Sequence, residues 1–190
     1  MDHPIIIKNV LTKDLFTNLN ETLHKHSRWR FTNTSYSGGA TSWGFDKDID
    51  NQLIFYEVAT IIKLKVQRYI RKNIHLCKIH CNGQTSGQIS EFHADFSPFD
   101  IWTFILFTEC YWDTQWGGEF VSQHPNTKEY FYTPYIPNTG ALIPSYWQHY
   151  GQSPNMNTHK IRTTMAFSYM EENLFHVKLK KYRDQFLRYT

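Results

Sequence analysis

The apolar residues of this chain change period once, near residue 73. Before that point they recur at helical spacing. Leu15, Leu19 and Leu23 predict one face of a helix over Thr12 to His26, with Thr12 as its N-cap. Asp50 to Lys72 predicts a second helix. Its apolar stripe is Leu53, Ile54, Val58, Ile61, Ile62, Tyr69 and Ile70, with Lys63, Lys65, Arg68, Arg71 and Lys72 mostly elsewhere. Between the two, residues 30 to 50 are polar and contain Ser37-Gly38-Gly39-Ala40, the pattern of an exposed loop or irregular strand. Beyond residue 73 come short β-rich runs: Ile74–Cys81, Ile89–Phe96, Ile101–Thr108, Gly118–Gln123, Glu129–Thr133, Ala141–Ile143, Trp147–Tyr150 and Arg162–Tyr169. Turn signals separate them, notably Asn82-Gly83, Ser97-Pro98, Gly117-Gly118 and Pro137-Asn138-Thr139-Gly140. Such runs behind two helices predict a mainly β chain with flanking α-helices, a double-sheet jelly roll with the helices on one outer face. Leu174 to Tyr189 predicts a closing basic helix.

With no repeat and no linker, the 190 residues read as one domain, long enough to bury roughly 70% of the unfolded surface. The helical support is 1–73, the jelly-roll core about 74–170 and the C-terminal helix about 174–189. The 14 Phe, 12 Tyr and 6 Trp strengthen the expectation of a β-rich core. A net charge of +3 is too small to argue for nucleic acid. Met1-Asp2-His3-Pro4 opens no signal peptide, and no run approaches the roughly 18 apolar residues of a membrane span. Cys77, Cys81 and Cys110 form no Cys-x-x-Cys pair and read as reduced thiols of a cytoplasmic protein.

Chemistry enters at Glu91-Phe92-His93-Ala94-Asp95-Phe96. A histidine and a carboxylate two apart on a strand share a face. With a third ligand they make a 2-His-1-carboxylate facial triad, which leaves half of an octahedral metal open. In a chain with 10 His, chance alone supplies roughly half of one such pair, so the surroundings decide. His149 follows in Tyr146-Trp147-Gln148-His149-Tyr150, and Arg162 heads the apolar strand Arg162-Thr163-Thr164-Met165-Ala166-Phe167. A guanidinium in that position is buried and needs an anion, either an internal Asp or Glu or a carboxylate ligand. Thr164 shares its face and donates a hydroxyl hydrogen bond.

His93-x-Asp95, His149 and Arg162, in that order and spacing, resemble the Fe(II)/2-oxoglutarate-dependent dioxygenases. Three neighbouring segments resemble the prolyl 4-hydroxylase-like branch and, within it, the small phage and marine bacterial type. They are Asn82-Gly83-Gln84-Thr85-Ser86-Gly87-Gln88, Trp116-Gly117-Gly118-Glu119-Phe120 and Ile136-Pro137-Asn138-Thr139-Gly140. The resemblance covers about 75 to 170. It implies a double-stranded β-helix of the cupin-like kind, with Fe(II) on His93, Asp95 and His149. Arg162 then takes the distal carboxylate of 2-oxoglutarate, helped by Thr164, with His80 and Asn82 as further cosubstrate contacts. Many members carry a tyrosine where this chain has His80, and some carry a second where it has Phe107. The activity implied is hydroxylation of a C–H bond, with O2 consumed, succinate and CO2 released, and ascorbate as a reductant. A phage-encoded member works in the host cytoplasm.

By the same analogy the substrate is a prolyl residue in a peptide or protein. A free amino acid or other small molecule is the alternative. Nucleobase oxidation is weaker: the basic runs Lys63 to Lys78 and His176 to Arg188 favour it, but no second arginine follows Arg162 on its strand. A metal-binding jelly-roll module or a zinc hydrolase would use the same triad without needing Arg162. Trp102, Phe104, Phe107, Phe120 and Trp147 are expected to line the barrel, mainly as core. Arg30 to Asp46 and Gln123 to Lys128 are candidate substrate-covering loops.

Overall fold

The computed structural model describes residues 1–26, 28–34, 41–45, 52–88, 90–96, 101–172 and 174. The elements run β1 (Ile5–Lys8), α1 (Lys13–Lys25), β2 (Arg30–Thr34), β3 (Thr41–Phe45), α2 (Leu53–Ile70), β4 (Ile74–Gln84) and β5 (Ile101–Phe107). A 3-10 turn (Thr114–Trp116) precedes β6 (Phe120–Gln123), β7 (Tyr130–Thr133), β8 (Thr139–Pro144), β9 (Gln148–Gly151) and β10 (Arg162–Glu171). A seven-stranded sheet has the order β1-β8-β5-β10-β4-β3-β2 and a three-stranded sheet the order β7-β6-β9, with antiparallel pairing throughout. The molecule is the jelly roll expected, with two sheets facing each other.

Alternation along the strands separates two cores. Ile79, Cys81, Phe104, Leu106, Leu142, Met165 and Phe167 point outward from the large sheet and join Phe16, Leu19, Leu23, Phe55, Val58, Ile62 and Val66 of the helices. The alternate residues Ile105, Phe107, Ala141 and Ile143 point between the sheets and meet Phe120, Tyr135 and Trp147. Trp102 and Phe104, expected to line the barrel, therefore belong to the helix side. Phe107, Phe120 and Trp147 do face the interior.

Helix α2 buries most of the stripe its periodicity predicted, with Val58 and Ile62 buried and Ile54, Ile61 and Ile70 packed against the core, but its buried face is shifted. Leu53 is 85% exposed and Tyr69 50%, while Phe55, Val58, Ala59, Ile62 and Val66 are buried. The sheet rotates the buried face toward Phe55, which packs on Phe45, and leaves Leu53 and Tyr69 of the predicted stripe outside.

Three further features bear on the site. Residues 30–34 and 41–45 take the irregular-strand alternative, with a register shift between Arg30 and Asn33, and β3 pairs with β4 at Trp43↔Gly83. Asn82-Gly83 is consequently strand rather than turn. A Cβ on Gly83 would lie 2.7 Å from Ile161 and 3.0 Å from Trp29, so glycine here permits close packing of side chains over the strand. Ile89–Phe96 is not a strand: among its described residues only His93 pairs, in an isolated bridge with His149. Gln123 to Lys128 forms a tight turn in which His124 Nδ1 accepts from the Asn126 and Thr127 amides. Residues 35–40 and 46 of the first candidate loop, and the closing helix beyond Leu174, lie outside the described residues.

One buried polar contact ties the helical layer to the barrel. Glu109, 3% exposed, accepts from His24 Nε2 of α1 at 3.1 Å and from the Thr163 hydroxyl. That hydrogen bond raises the His24 imidazole above its ordinary 6.5, against the opposing effects of burial and Lys160. A group raised on folding stabilises fully below its unfolded value and ceases to do so as the pH climbs through its folded value. Urea midpoints should therefore fall relative to His24→Gln as the pH is raised from about 6 to 9, the two proteins converging at the alkaline end. A gap that widens with pH would reject the linkage.

Candidate metal centre and anion cradle

Three donors from two distant segments of the chain converge between the sheets. His93, Asp95 and His149 each offer one ligand atom, and these atoms lie within 4.8 Å of one another. Asp95 Oδ1 is 3.7 Å from His93 Nε2 and 3.6 Å from His149 Nε2. Backbone carbonyls set the tautomers. His149 Nδ1 donates to Trp147 O at 2.9 Å and His93 Nδ1 to Glu91 O at 3.0 Å. A carbonyl only accepts, so Nδ1 carries the proton and the Nε2 lone pair is left toward the centre. The bridge between His93 and His149, with N to O distances of 3.1 and 2.8 Å in the two directions, holds the two histidines side by side. The Asp95 and Phe96 amides donate to Ser145 O at 3.1 and 3.3 Å.

The electrostatics favour cation uptake. Burial alone would raise the Asp95 carboxyl, but His149, His93 and the Thr103 hydroxyl together hold it below the ordinary carboxylate value. Burial pushes His149 below its ordinary value against the pull of Asp95. A low-lying carboxyl and a neutral imidazole are the protonation states in which these groups bind a metal. Two imidazole nitrogens and one carboxylate oxygen, crowded on one side, fit a divalent ion such as Fe(II) with open positions.

Arg162 lies deeper in the barrel. It is 2% exposed and donates from Nε to Gly118 O at 2.7 Å and from Nη1 to Gln84 Oε1 at 3.0 Å. Its Nη2 is buried without a partner among the described residues. Burial lowers the guanidinium to about 10, although Tyr135 and Glu119 pull the other way. The Arg162 Cζ lies 5.3 Å from the centre of the Tyr135 ring, which also stacks on Phe107 at 4.8 Å. Two glycines make room for the group. A Cβ on Gly151 would sit 2.8 Å from Arg162 Nη1, and one on Gly118, at φ +84°, 3.1 Å from Arg162 Cδ. A buried guanidinium fork with one nitrogen still to satisfy fits a carboxylate.

Register places the remaining expected residues. Gln84 pairs with Arg162 and their side chains touch, so both face the interior. Period two then turns Asn82 and its partner Thr164, and His80 and its partner Ala166, to the same face. Thr164 is 3% exposed and also pairs with Phe107. These residues form successive rows leading away from Arg162.

Thr103, Ser145, Tyr135 and Gly151 were not foreseen from the sequence, and Gln84 stood only within a motif, with no role attached. Thr103 offered one signal, a hydroxyl on the interior face of an otherwise apolar strand. Gly118 was legible within a motif, but its contact with Arg162 was not. Cys77, Cys81 and Cys110 form no disulfide with one another, and burial raises the Cys77 thiol to about 12, far from the reactive range. Among the described residues no helix is long and apolar enough to cross a membrane.

No family model and no curated protein matches the sequence. Solved structures do match in shape. One is a prolyl hydroxylase from Trichoplax adhaerens, in complex with a peptide fragment of the hypoxia inducible factor oxygen degradation domain. It has a TM-score of 0.69 at 14% identity, covering 93% of this chain and 87% of that one. A Pseudomonas putida prolyl-4-hydroxylase has a TM-score of 0.69 at 9% identity, over 90% and 94% of the two chains. The non-haem alpha-ketoglutarate-dependent epimerase SnoN of nogalamycin biosynthesis has a TM-score of 0.70 at 11% identity, over 90% and 78%. This chain has the jelly-roll fold of the Fe(II)/2-oxoglutarate oxygenases, prolyl hydroxylases among them.

Proposed function

We propose that this protein is an Fe(II)- and 2-oxoglutarate-dependent dioxygenase that hydroxylates a prolyl residue in a peptide or protein, releasing succinate and CO2. The observation that carries the reading is Arg162: a buried fork with an unsatisfied Nη2, in the same barrel as a cluster of two histidines and one aspartate. A zinc hydrolase or a binding module has no use for that arrangement. His93, Asp95 and His149 would hold the iron, which when bound supplies the oxidising chemistry at its open positions. Arg162 would take the distal carboxylate of 2-oxoglutarate through Nη2, with Thr164 adding a hydroxyl and Asn82 and His80 lining the way toward the iron. The apolar interior around Ile105, Phe107 and Phe120 would keep water away from the reacting atoms. Ascorbate as the reductant that maintains Fe(II) belongs to the same proposal.

The prolyl assignment draws on the sequence resemblance and on the peptide-bound hydroxylase of like fold. A small-molecule substrate is the second reading, supported by an epimerase of nogalamycin biosynthesis with similar fold. Anaerobic protein with Fe(II) and 2-oxoglutarate should develop a weak visible charge-transfer band, and air should then yield succinate. Prolyl peptides, free amino acids and oligonucleotides, read by mass spectrometry for one added oxygen, should show the gain on the peptides. A protein that gives neither band nor succinate is not this enzyme. A gain on a free amino acid alone transfers the assignment to the second reading.

A further inference from the structure

The Asp95 carboxylate has two oxygens, and the fold treats them differently. Oδ1 faces both imidazole Nε2 atoms, whereas Oδ2 accepts from the Thr103 hydroxyl at 2.8 Å. Thr103 Oγ1 is also 2.8 Å from Ser145 Oγ, and both residues are 0% exposed. A hydroxyl has one proton. An ionised carboxylate can only accept, so the Thr103 proton is committed to Asp95 and the Thr103 oxygen must accept from Ser145. The contacts form a chain of one direction, Ser145 to Thr103 to Asp95, each bond polarising the next. Ser145 has a second role, since its carbonyl receives the Asp95 and Phe96 amides and its own amide donates to Ile101 O at 2.9 Å. The segment carrying Asp95 has no strand ladder of its own beyond the His93 bridge. What prevents the carboxylate from rotating is this pair of buried hydroxyls on β5 and the β8–β9 turn.

We propose that Thr103, oriented by Ser145, is the positioning residue that makes Asp95 a one-oxygen ligand, so that a coordination position stays open for the 2-oxo acid. The inference rests on the dioxygenase reading above. Two functions are separable on chemical grounds. A group that merely holds a ligand in place strengthens metal binding, and its loss typically weakens the metal by 10- to 100-fold. A group that withholds the second oxygen does the reverse: once it is gone, both carboxylate oxygens reach the ion and compete with the cosubstrate. Threonine is suited to the task because valine copies its shape and its β-branched strand preference while removing only the hydrogen bond.

The test uses the full chain loaded anaerobically with Co(II) or Fe(II). Calorimetry measures metal affinity first and the affinity of the loaded protein for 2-oxoglutarate second. For Thr103→Val the expected result is 2-oxoglutarate binding weakened about tenfold or more, with metal binding no weaker than wild type. Thr103→Ser, which keeps the hydroxyl, should restore the wild-type value. Ser145→Ala should shift 2-oxoglutarate in the same direction by less, because Thr103 then keeps its bond to Asp95 but loses the partner that orients it. Melting curves of each variant separate this from a folding defect, since a destabilised barrel would lose both affinities together. If Thr103→Val weakens the metal and spares 2-oxoglutarate, or changes neither, the proposal is overturned while the dioxygenase reading stands. A wild-type protein that binds metal but no 2-oxoglutarate, or neither, overturns both.

Discussion

Arg162→Ala is expected to weaken 2-oxoglutarate binding by roughly 30- to 5,000-fold, the equivalent of about 2–5 kcal/mol for one partner of a buried, hydrogen-bonded charge pair. Binding of Fe(II) or Co(II) in the absence of 2-oxoglutarate should change little, because Arg162 contacts Gly118, Gln84 and Tyr135 and none of the three metal-binding candidates. The split is the diagnostic. Equal loss of both affinities would mean that Arg162 only holds the barrel together. Lysine should rescue poorly. Its point charge cannot donate to the Gly118 carbonyl and the Gln84 amide oxygen and still present a flat fork to a carboxylate. Titration calorimetry of the metal-loaded and metal-free proteins reads all of these outcomes.

His149→Ala is expected to weaken divalent metal binding by at least about 100-fold, the upper end of what loss of an outer partner costs, because here the ligand itself is gone. The same change removes the lone-pair donor 3.6 Å from Asp95 Oδ1 and leaves His93 and Asp95 as a weak two-point site. His124→Ala is the matched control. That ring lies on the same side of the barrel, 5.0 Å from Trp147, but its Nδ1 is taken by the turn amides at Asn126 and Thr127. It should leave metal affinity at the wild-type value. If His149→Ala retains that value, the triad is not the metal centre and the cosubstrate assignment falls with it.

Much of the barrel was legible because alternation of side chains is a local property. Ile101 to Thr108 and Arg162 to Tyr169 read as strands, against Ile101–Phe107 and Arg162–Glu171 in the fold, since β-branched and aromatic residues at period two have few other stable arrangements. The helices were legible for the same reason at period 3.6. What spacing left open was the exact rotation of each element. Helix α2 buries Val58 and Ile62 as its spacing implies, and contact with the sheet adds Phe55, Ala59 and Val66 while Leu53 and Tyr69 stay exposed. Asn82-Gly83 has the composition of a turn yet lies inside β4, because Trp29 and Ile161 pack where any side chain on Gly83 would stand. The segment through His93 and Asp95 alternates like a strand but is held by one bridge and the Ser145 carbonyl.

The site divides along the same line. His93, Asp95, His149 and Arg162 were legible as residue types at a spacing, and with them the expectation of a metal and an anion. Their chemistry belongs to the side chains and does not depend on where the chain folds. The tautomers of the two histidines are set by carbonyls only two residues away, but the single open face of the Asp95 carboxylate and the one unsatisfied nitrogen of Arg162 are of another kind. They arise from contacts 8, 42 and 78 positions apart, between Asp95 and Thr103, Thr103 and Ser145, and Gln84 and Arg162. A hydrogen bond is decided by angle and a few tenths of an ångström, and no linear pattern encodes distances between strands that meet only when the sheets close. The amino-acid sequence determined which groups this protein offers as candidates for holding a metal and an acid. The tertiary structure brought them together and decided which oxygen of Asp95 and which nitrogen of Arg162 is left open.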